Sequence, residues 1–162
     1  MTTSSWDIKF MQLAETVASW SKDRSRKIGA CIVDNNKNHV LALGYNGLPR
    51  GIADEVEARH QRPAKYLWAE HAERNAIFDA ARRGAALEGG ILYSVLFPCA
   101  HCARAISQVE ISRVVSPEPN WEDPTYKEEF EVSRVIFEEK GIQVEWFPPE
   151  LMQELRTGPK VL

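Results

Sequence analysis

Two short stretches of the sequence carry residue types that bind metals and transfer protons. The first, "EHAERNAI", contains His71 and Glu73, and the second, "LFPCAHCARAI", contains Cys99 and Cys102. A Cys-x-x-Cys pair occurs in redox proteins, in structural zinc sites and among the ligands of catalytic zinc. In the third case His71 and the two cysteines would occupy three tetrahedral positions of one zinc ion. The fourth position would then hold solvent, with Glu73 beside it as a proton carrier.

The redox and structural interpretations of the cysteine pair fit the sequence less well. A redox pair normally opens a helix after an early strand, whereas Cys99 lies late in this chain. A structural site needs four protein ligands, and Cys31 lies in the apolar run "GACIV", where a lone cysteine acts as a small buried residue. The combination of HxE with PCxxC is the signature of zinc-dependent nucleobase deaminases, so a catalytic zinc is the leading hypothesis.

The hydrophobic pattern predicts the elements that position these residues. A first helix begins near Ser4 or Ser5, and "KIGACIVD" and "HVLALGYN" form a hairpin of two strands. Three helix and strand pairs follow, which predicts a mixed or mostly parallel sheet covered on both faces. The predicted helices of these pairs are "HAERNAIFDAARRGA", ending at Gly84, "CAHCARAISQ", and "TYKEEFEVSRVIFEEKG", ending at Gly141; the strands are "GILYSVLF", "SRVVS" and "IQVEWF".

Two long connections in this order are candidate walls of a substrate site. One runs from Tyr45 to Ala69, and the other is the Pro- and Trp-rich stretch "SPEPNWEDP". Connections longer than about 12 residues are uncommon in compact domains unless they serve a site. Both metal half-motifs lie at predicted helix N-termini, whose positive dipole ends favour thiolate over thiol.

Length, composition and charge limit the class of protein. The 162 residues, 44% of them hydrophobic and 27% charged, indicate one globular domain over residues 1–162. The N-terminal sequence lacks a signal-peptide pattern and no apolar run reaches about 18 residues, so we expect a cytoplasmic protein with no membrane partner. A formal net charge of -3 argues against a nucleic-acid partner and favours a small-molecule ligand.

The chain resembles the cytidine and deoxycytidylate deaminase family, and within it the dCMP deaminases, over roughly Lys22 to Val144. The motifs that carry the resemblance are "SKDRSRKIGACIVD", "GYNGLPRG", "HAERNAI" and "LFPCAHCARAI". The resemblance implies an α/β protein with a three-layer α/β/α cytidine deaminase-like fold and a five-stranded mixed sheet. It also implies zinc as the cofactor, His71, Cys99 and Cys102 as its ligands, and Glu73 as the catalytic proton shuttle.

The activity that the resemblance implies is hydrolysis of dCMP to dUMP and ammonia. A deaminase of another nucleotide or nucleobase, such as a modified pyrimidine, a cytosine nucleoside or guanine, is the alternative with the same zinc chemistry. The net charge argues against a third candidate, a nucleic-acid editing deaminase. The family further implies a homo-oligomer, and many dCMP deaminases respond to dCTP and dTTP as effectors.

Substrate contacts follow from the same resemblance. Asn46 of "GYNG" is expected to contact the sugar, and the backbone of Ala72 the pyrimidine carbonyl. Ser25 and Lys27 of "KDRSRK" are the candidates for a phosphate contact, since charge-assisted hydrogen bonds suit a monophosphate. Phe97, beside the metal motif, is the candidate for stacking on the base.

Some residues depart from the family pattern or fall outside it. His101 stands between the two cysteines, where dCMP deaminases often have an acidic or amide side chain, and "SPEPNWEDPTY" follows the fourth strand. These departures bear on the substrate and not on the metal chemistry. Arg50 is a further candidate for the phosphate contact, and Trp121 a further candidate for stacking. We expect His39 and His60 to be surface residues and not ligands.

Overall fold

The computed structural model describes residues 3–36 and 38–158. Its five strands form one sheet in the order β2-β1-β3-β4-β5. The strand β1 is antiparallel to both β2 and β3, whereas β3, β4 and β5 run parallel, so the sheet is mixed as predicted. The bounds of the strands are β1 Gly29–Val33, β2 Val40–Tyr45, β3 Ile91–Ser94, β4 Arg113–Ser116 and β5 Gln143–Trp146.

Helices cover both faces of this sheet, which confirms the predicted three-layer α/β/α arrangement. The helices are α1 Ser5–Ala18, α2 Lys65–Trp68, α3 Ala72–Arg83, α4 Ala100–Gln108, α5 Lys127–Lys140 and α6 Pro149–Thr157. Residues of α1 and α6 pack on one face, together with Cys31 and Tyr93 of the strands. Residues of α3, α4 and α5 pack on the other face, together with Ala30 and Leu92. Successive strand residues thus serve opposite cores, as the two-residue period of a strand requires.

The helix ends lie where the sequence signals place them. Ser4 caps α1, accepting a hydrogen bond from the Asp7 N–H while the Asp7 carboxylate accepts one from the Ser4 N–H. The helices α3 and α5 end at Gly84 and Gly141, as predicted. The predicted hairpin of β1 and β2 is also confirmed, although Lys37 of its turn lies outside the described residues.

Close contact between β2 and α3 fixes the start of that helix. A Cβ atom added to Gly44 would lie 2.2 Å from the Ala72 carbonyl oxygen and 2.3 Å from the Ala76 nitrogen. Only a residue without a side chain allows the strand and the helix backbone to approach so closely. The N-terminus of α3, which carries His71 and Glu73, is therefore held directly against the sheet.

Three elements were absent from the sequence prediction. A 3-10 turn, Glu57–Arg59, and the short helix α2 lie within the connection that was predicted as one long loop. The third is α6, whose first residue is Pro149 and whose first turn contains Glu150. Proline at the first helical position and an acidic residue behind it are helix-start signals, so this omission is an error of the sequence prediction. No helix in residues 3–36 and 38–158 is long and apolar enough to cross a membrane.

Candidate active site

The structure brings the three predicted metal ligands together. His71 is the N-cap residue of α3, Cys99 is the N-cap residue of α4, and Cys102 lies in the first turn of α4. The His71 Nδ1 atom lies 3.4 Å from the Cys99 Sγ atom and 3.5 Å from the Cys102 Sγ atom. The three donor atoms lie within 4.8 Å of one another, and both cysteines are free thiols. Two helix N-termini thus converge on one point.

The spacing of these donor atoms fits a tetrahedral zinc ion. Zinc bonds of about 2.3 Å to sulfur and about 2.0–2.1 Å to nitrogen place the two kinds of ligand roughly 3.6 Å apart. The observed nitrogen to sulfur distances of 3.4 Å and 3.5 Å are close to that value. The thiols are buried whereas His71 is exposed, so the site opens on the side of the histidine. Two sulfurs and one nitrogen leave a fourth position for water or substrate.

The electrostatics of the cluster favour a cation. A hydrogen bond from Cys102, and then the charge of His71, lower the pKa of the Cys99 thiol to about 3. The hydrogen bond to Cys99 raises the pKa of His71 to about 9, and the same thiol pair raises the pKa of Cys102. Because zinc binds thiolate and neutral imidazole, binding would release the protons that the cluster retains.

Glu73 lies next to the cluster and is 3% exposed. One carboxylate oxygen accepts a hydrogen bond of 3.1 Å from the Ser94 hydroxyl, and the other lies 3.5 Å from the Cys102 Sγ atom. Burial raises the pKa of Glu73, while the charge of His71 acts in the opposite direction. A carboxyl group with a raised pKa can both accept and donate a proton near neutral pH, as a proton shuttle must.

Ser94 is a site residue that the sequence analysis missed. It is the last residue of β3 and is fully buried, and its hydroxyl orients Glu73. A signal was present, because a serine stands among apolar residues in "GILYSVLF", directly before the cysteine motif. A polar residue in a buried strand needs a hydrogen-bond partner, and here the partner is the proton shuttle.

A cavity of about 230 Å³ adjoins the metal donors. Both long connections contribute to its walls, as the sequence predicted. Asn46, Ala72 and Phe97 of the predicted substrate contacts line it. Ser25 and Lys27 are not in its lining, whereas Arg26, the residue between them, is. The other lining residues are Asp23, Ile28, Arg62, Lys65, Tyr66, Ala69, Glu70, His71, Glu73, Leu96, Cys99, Asp123, Thr125, Tyr126 and Phe130.

Asn46 and Ala72 both line the cavity, but the polar atoms of the Asn46 side chain are hydrogen-bonded to the backbone whereas the Ala72 N–H has no acceptor within its helix. The Asn46 Oδ1 atom accepts the Ile28 N–H at 2.8 Å, and its Nδ2 atom donates to the Arg26 carbonyl at 2.9 Å. The side chain therefore ties "GYNG" to the segment before β1 and is held rigidly in the cavity wall. Ala72 is the first residue of α3, so its N–H has no acceptor within the helix. That N–H can bind an acceptor of a ligand.

Phe97 is a core residue as well as a wall residue. Its side chain is 1% exposed, and its ring centroid lies between 5.3 and 5.9 Å from those of Trp121, Phe130, Phe137 and Trp146. This aromatic cluster surrounds the ring, so Phe97 supports the cavity wall mainly by packing. Trp121 belongs to the same cluster and does not line the cavity.

A larger cavity of about 500 Å³ lies beyond Asn46 and Lys65. It contains none of the metal donors, and the smaller cavity is therefore the candidate active site. Arg50 and His60 line the larger cavity, and the His60 Nε2 atom lies 2.6 Å from the Asp54 carbonyl oxygen. His101 is exposed on α4 and lies 2.9 Å from an Arg104 guanidinium nitrogen, away from the three donors.

The fold and this site define a zinc-dependent deaminase of the α/β/α type. Residues 4–117 match the family model described as the cytidine and deoxycytidylate deaminase zinc-binding region. The match spans more than half of the chain, and the chain belongs to that family. Zinc is accordingly its cofactor, and the described residues offer one group of three donors for it.

Individual relatives agree with this assignment. An uncharacterised deaminase in the luxG 3′ region of Aliivibrio fischeri is 40% identical over 152 residues, which cover 93% of this chain and 99% of the relative. The deoxycytidylate deaminase of Mus musculus is 35% identical over 150 residues, covering 90% and 81%. Among solved structures, the dCMP deaminase of cyanophage S-TIM5 in complex with dCMP and dUMP is 25% identical. Its TM-score is 0.72, and the alignment covers 91% of this chain and 100% of that one.

Proposed function

We propose that this chain catalyses the hydrolytic deamination of dCMP to dUMP and ammonia. The observation that carries the proposal is the cluster of three zinc donors and a buried glutamate beside one small cavity, which His71, Cys99 and Glu73 line. The similarity to deoxycytidylate deaminases along 90% of the chain supports dCMP as the substrate. A cytoplasmic location and a single domain over residues 1–162, both expected from the sequence, are part of the same proposal.

The mechanism assigns a task to each residue of the site. His71, Cys99 and Cys102 hold the zinc ion, which when bound supplies activation of a water molecule for attack at neutral pH. Glu73 removes a proton from the nucleophile that attacks C4 of the cytosine ring. It delivers that proton to N3, then removes the second proton of the same water from the hydroxyl formed at C4 and delivers it to the amine, which leaves as ammonia. Ser94 keeps the Glu73 carboxylate oriented for both transfers.

The other residues orient the substrate. The free N–H of Ala72 binds the pyrimidine carbonyl, which places the ring over Glu73 at the same helix end. Asn46, fixed by its two backbone hydrogen bonds, contacts the sugar. Phe97 forms the wall behind the base. Ser25 and Lys27, the phosphate contacts predicted from the sequence, lie outside the cavity lining.

The proposal is tested by release of ammonia from a substrate panel. The zinc-loaded protein is assayed with dCMP, CMP, deoxycytidine, dCTP, cytosine, guanine and adenosine nucleotides at equal concentrations. We expect the highest kcat/KM for dCMP. Turnover of another member of the panel without turnover of dCMP would contradict the substrate assignment and leave the metal assignment intact.

Regulation by dCTP and dTTP, and assembly into a homo-oligomer, complete the proposal. The larger cavity is built partly from "GYNGLPRG", and Arg50 and Arg82 line it without an acidic partner in residues 3–36 and 38–158. Such residues suit a triphosphate. Two exposed apolar residues, Leu67 on α2 and Phe78 in the wall of the larger cavity, are candidates for a subunit interface. Saturation curves for dCMP with and without each effector test the regulation, and light scattering tests the assembly.

A further inference from the structure

Two arginines in the wall of the metal cavity have no acidic partner. Arg26 precedes β1, and Arg62 lies in the long connection before α2; both line the cavity that contains His71 and Glu73. Neither guanidinium forms an ion pair in the described ranges 3–36 and 38–158. Three other basic residues of these segments are paired, namely Lys22 with Asp54, Arg24 with Glu57 and Lys65 with Asp23.

Tyr126 lines the same cavity as Arg26 and Arg62. Burial raises the pKa of Tyr126, whereas the positive charges of Arg26 and Arg62 act to lower it, so both act on one hydroxyl group. Arg62 also lies over the ring of Tyr66, 5.9 Å from its centroid. Two arginines without acidic partners in one cavity wall favour an anionic ligand, and a phosphate dianion is the ligand that arginine forks match best.

The carboxylates in the same wall do not compete for these arginines. Besides Glu73, three acidic residues line the cavity, and each has its own partner. Asp23 is paired with Lys65, and Glu70 with Arg74. Asp123 accepts hydrogen bonds from the N–H groups of Thr125 and Tyr126. The wall of the cavity therefore contains two arginines that have no acidic partner among the described residues.

Arg26 adjoins the other proposed substrate contacts, and Arg62 lines the same cavity. The base contacts, Glu73 and the Ala72 N–H, are at the start of α3. Asn46, the proposed sugar contact, donates directly to the Arg26 carbonyl, so the sugar site adjoins Arg26. Base, sugar and 5′-phosphate follow one another in the same order in a nucleotide.

We propose that Arg26, Arg62 and Tyr126 bind the 5′-phosphate of the substrate and make this enzyme specific for a nucleoside monophosphate over a nucleoside. The inference rests on the proposed function and deepens it. It also replaces the phosphate contacts predicted from the sequence. The Ser25 hydroxyl already accepts from the Lys65 ammonium at 2.7 Å and donates to Asp23 at 3.1 Å, and Lys27 is not in the cavity lining.

Paired kinetics with dCMP and deoxycytidine test the proposal in Arg26→Ala, Arg62→Ala and Tyr126→Phe. Each arginine variant should lower kcat/KM for dCMP by about 10- to 100-fold, the value of one or two charge-assisted hydrogen bonds. Tyr126→Phe should lower it by about 3- to 10-fold, as expected for one neutral hydrogen bond. Turnover of deoxycytidine should stay within about twofold in all three, because it carries no phosphate.

Arg24→Ala is the matched control. It removes the same charge two residues from Arg26, but Arg24 is exposed, paired with Glu57 and absent from the cavity lining. Its kinetics with dCMP should be unchanged, which excludes a general effect of net charge. Ser25→Ala and Lys27→Ala test the earlier assignment. A loss specific to dCMP in those two variants, and not in the arginine variants, would overturn the proposal.

Binding of the product supplies a readout that does not depend on turnover. By calorimetry, the arginine variants should lose affinity for dUMP and for inorganic phosphate, and keep their affinity for deoxyuridine. Should the parent protein deaminate a different nucleotide and not dCMP, the proposed function fails, while a phosphate-specific loss in these variants still supports the arginine site. If the parent deaminates dCMP and the variants weaken dCMP and deoxycytidine equally, the arginine site alone is wrong.

Discussion

Two buried carboxylates lie on opposite faces of the sheet, and adjacent residues of β3 serve them. On the face covered by α1, the Tyr93 hydroxyl donates to Asp7 at 2.7 Å. On the face covered by α3, the Ser94 hydroxyl donates to Glu73 at 3.1 Å. Asp7 and Glu73 are each 3% exposed, so burial alone does not distinguish them.

Asp7 and Glu73 differ in their hydrogen-bond and ion-pair partners, and the two faces of the sheet therefore have different roles. Asp7 accepts hydrogen bonds from Ser4, Tyr93 and Arg113, and these outweigh burial and lower its pKa. Glu73 has no arginine or lysine partner in the described chain, and burial raises its pKa. A fully partnered acid contributes to stability, whereas a poorly partnered one stays reactive.

The largest expected effect is the loss of activity in Glu73→Gln. The amide keeps the shape of the side chain but cannot transfer protons, so kcat should fall by at least about 1,000-fold. Zinc content should stay at one ion per chain, and thermal stability should not decrease, because a buried charge is removed. Metal analysis and differential scanning calorimetry accompany the kinetics. Substantial residual activity would show that Glu73 is not the proton shuttle.

Asp7→Asn should show the opposite pattern. The substitution removes the negative charge to which Ser4, Tyr93 and Arg113 donate hydrogen bonds. We expect the free energy of unfolding to fall by about 3 kcal/mol. Arg113 keeps its ion pair with Glu145, which limits the loss. The kcat of the folded variant should remain within about twofold, because the active site lies on the other face. Denaturant titration gives the free energy of unfolding. A loss of kcat without destabilisation would contradict the assignment of Asp7 to stability and of Glu73 to catalysis.

A third acid, Asp23, sharpens the comparison because it is partnered yet lies in the cavity wall. Burial would raise the pKa of Asp23, but the N–H groups of Arg26 and Ser25 and the Lys65 ammonium lower it to about 2. Relative to its ordinary value of 3.8, this corresponds to about 2 kcal/mol of stability. The folded pKa is the lower one, so this contribution is complete above about pH 4 and is lost as the pH falls toward about 2.

Stability measured against pH tests that assignment. The difference in unfolding free energy between the parent protein and Asp23→Asn should be largest at neutral pH and shrink steadily below about pH 4. Arg24→Ala, which loses an exposed ion pair with Glu57, is the control and should show a difference below about 1 kcal/mol at every pH. A difference for Asp23 that does not depend on pH would contradict the ion-pair origin.

The smallest expected effect is that of Ser94→Ala. Glu73 loses its orienting hydrogen bond but keeps its place on α3, so kcat should fall by about 3- to 10-fold. Zinc content should not change. Ser94→Thr is the conservative variant and should restore part of the loss if its hydroxyl reaches the carboxylate. A kcat equal to that of the parent in Ser94→Ala would show that the hydroxyl has no part in positioning Glu73.

The positions of the three metal donors could be predicted from the sequence, because the sequence signals that place them are local. Helix caps place His71 and Cys99, and one helical turn places Cys102, so each donor depends on a few neighbouring residues. The order of helices and strands predicted the layers, because strands that alternate with helices form a sheet covered on both faces. The local signals for α6, a proline and an acidic residue at its start, were present and were overlooked.

The rim of the cavity could not be predicted in this way. Ser25, Arg26 and Lys27 are consecutive, and which of them lines the cavity depends on where the irregular segment before β1 turns. Irregular segments have no period from which orientation can be read. Arg62 comes from a connection whose 3-10 turn and short helix the sequence pattern does not predict, and only the tertiary fold brings it into the same cavity wall as Arg26.

The contact of Gly44 with α3 has a consequence for redesign of this protein. Because a Cβ at Gly44 would meet the backbone of Ala72 and Ala76, the helix that carries His71 and Glu73 already lies against β2 and cannot move closer to the sheet to make room for a larger base. New substrates would have to be accommodated by resizing the connections at residues 47–64 and 117–125, which touch the cavity without holding the metal donors. A library built for altered specificity should therefore vary those connections and leave β2 and α3 unchanged.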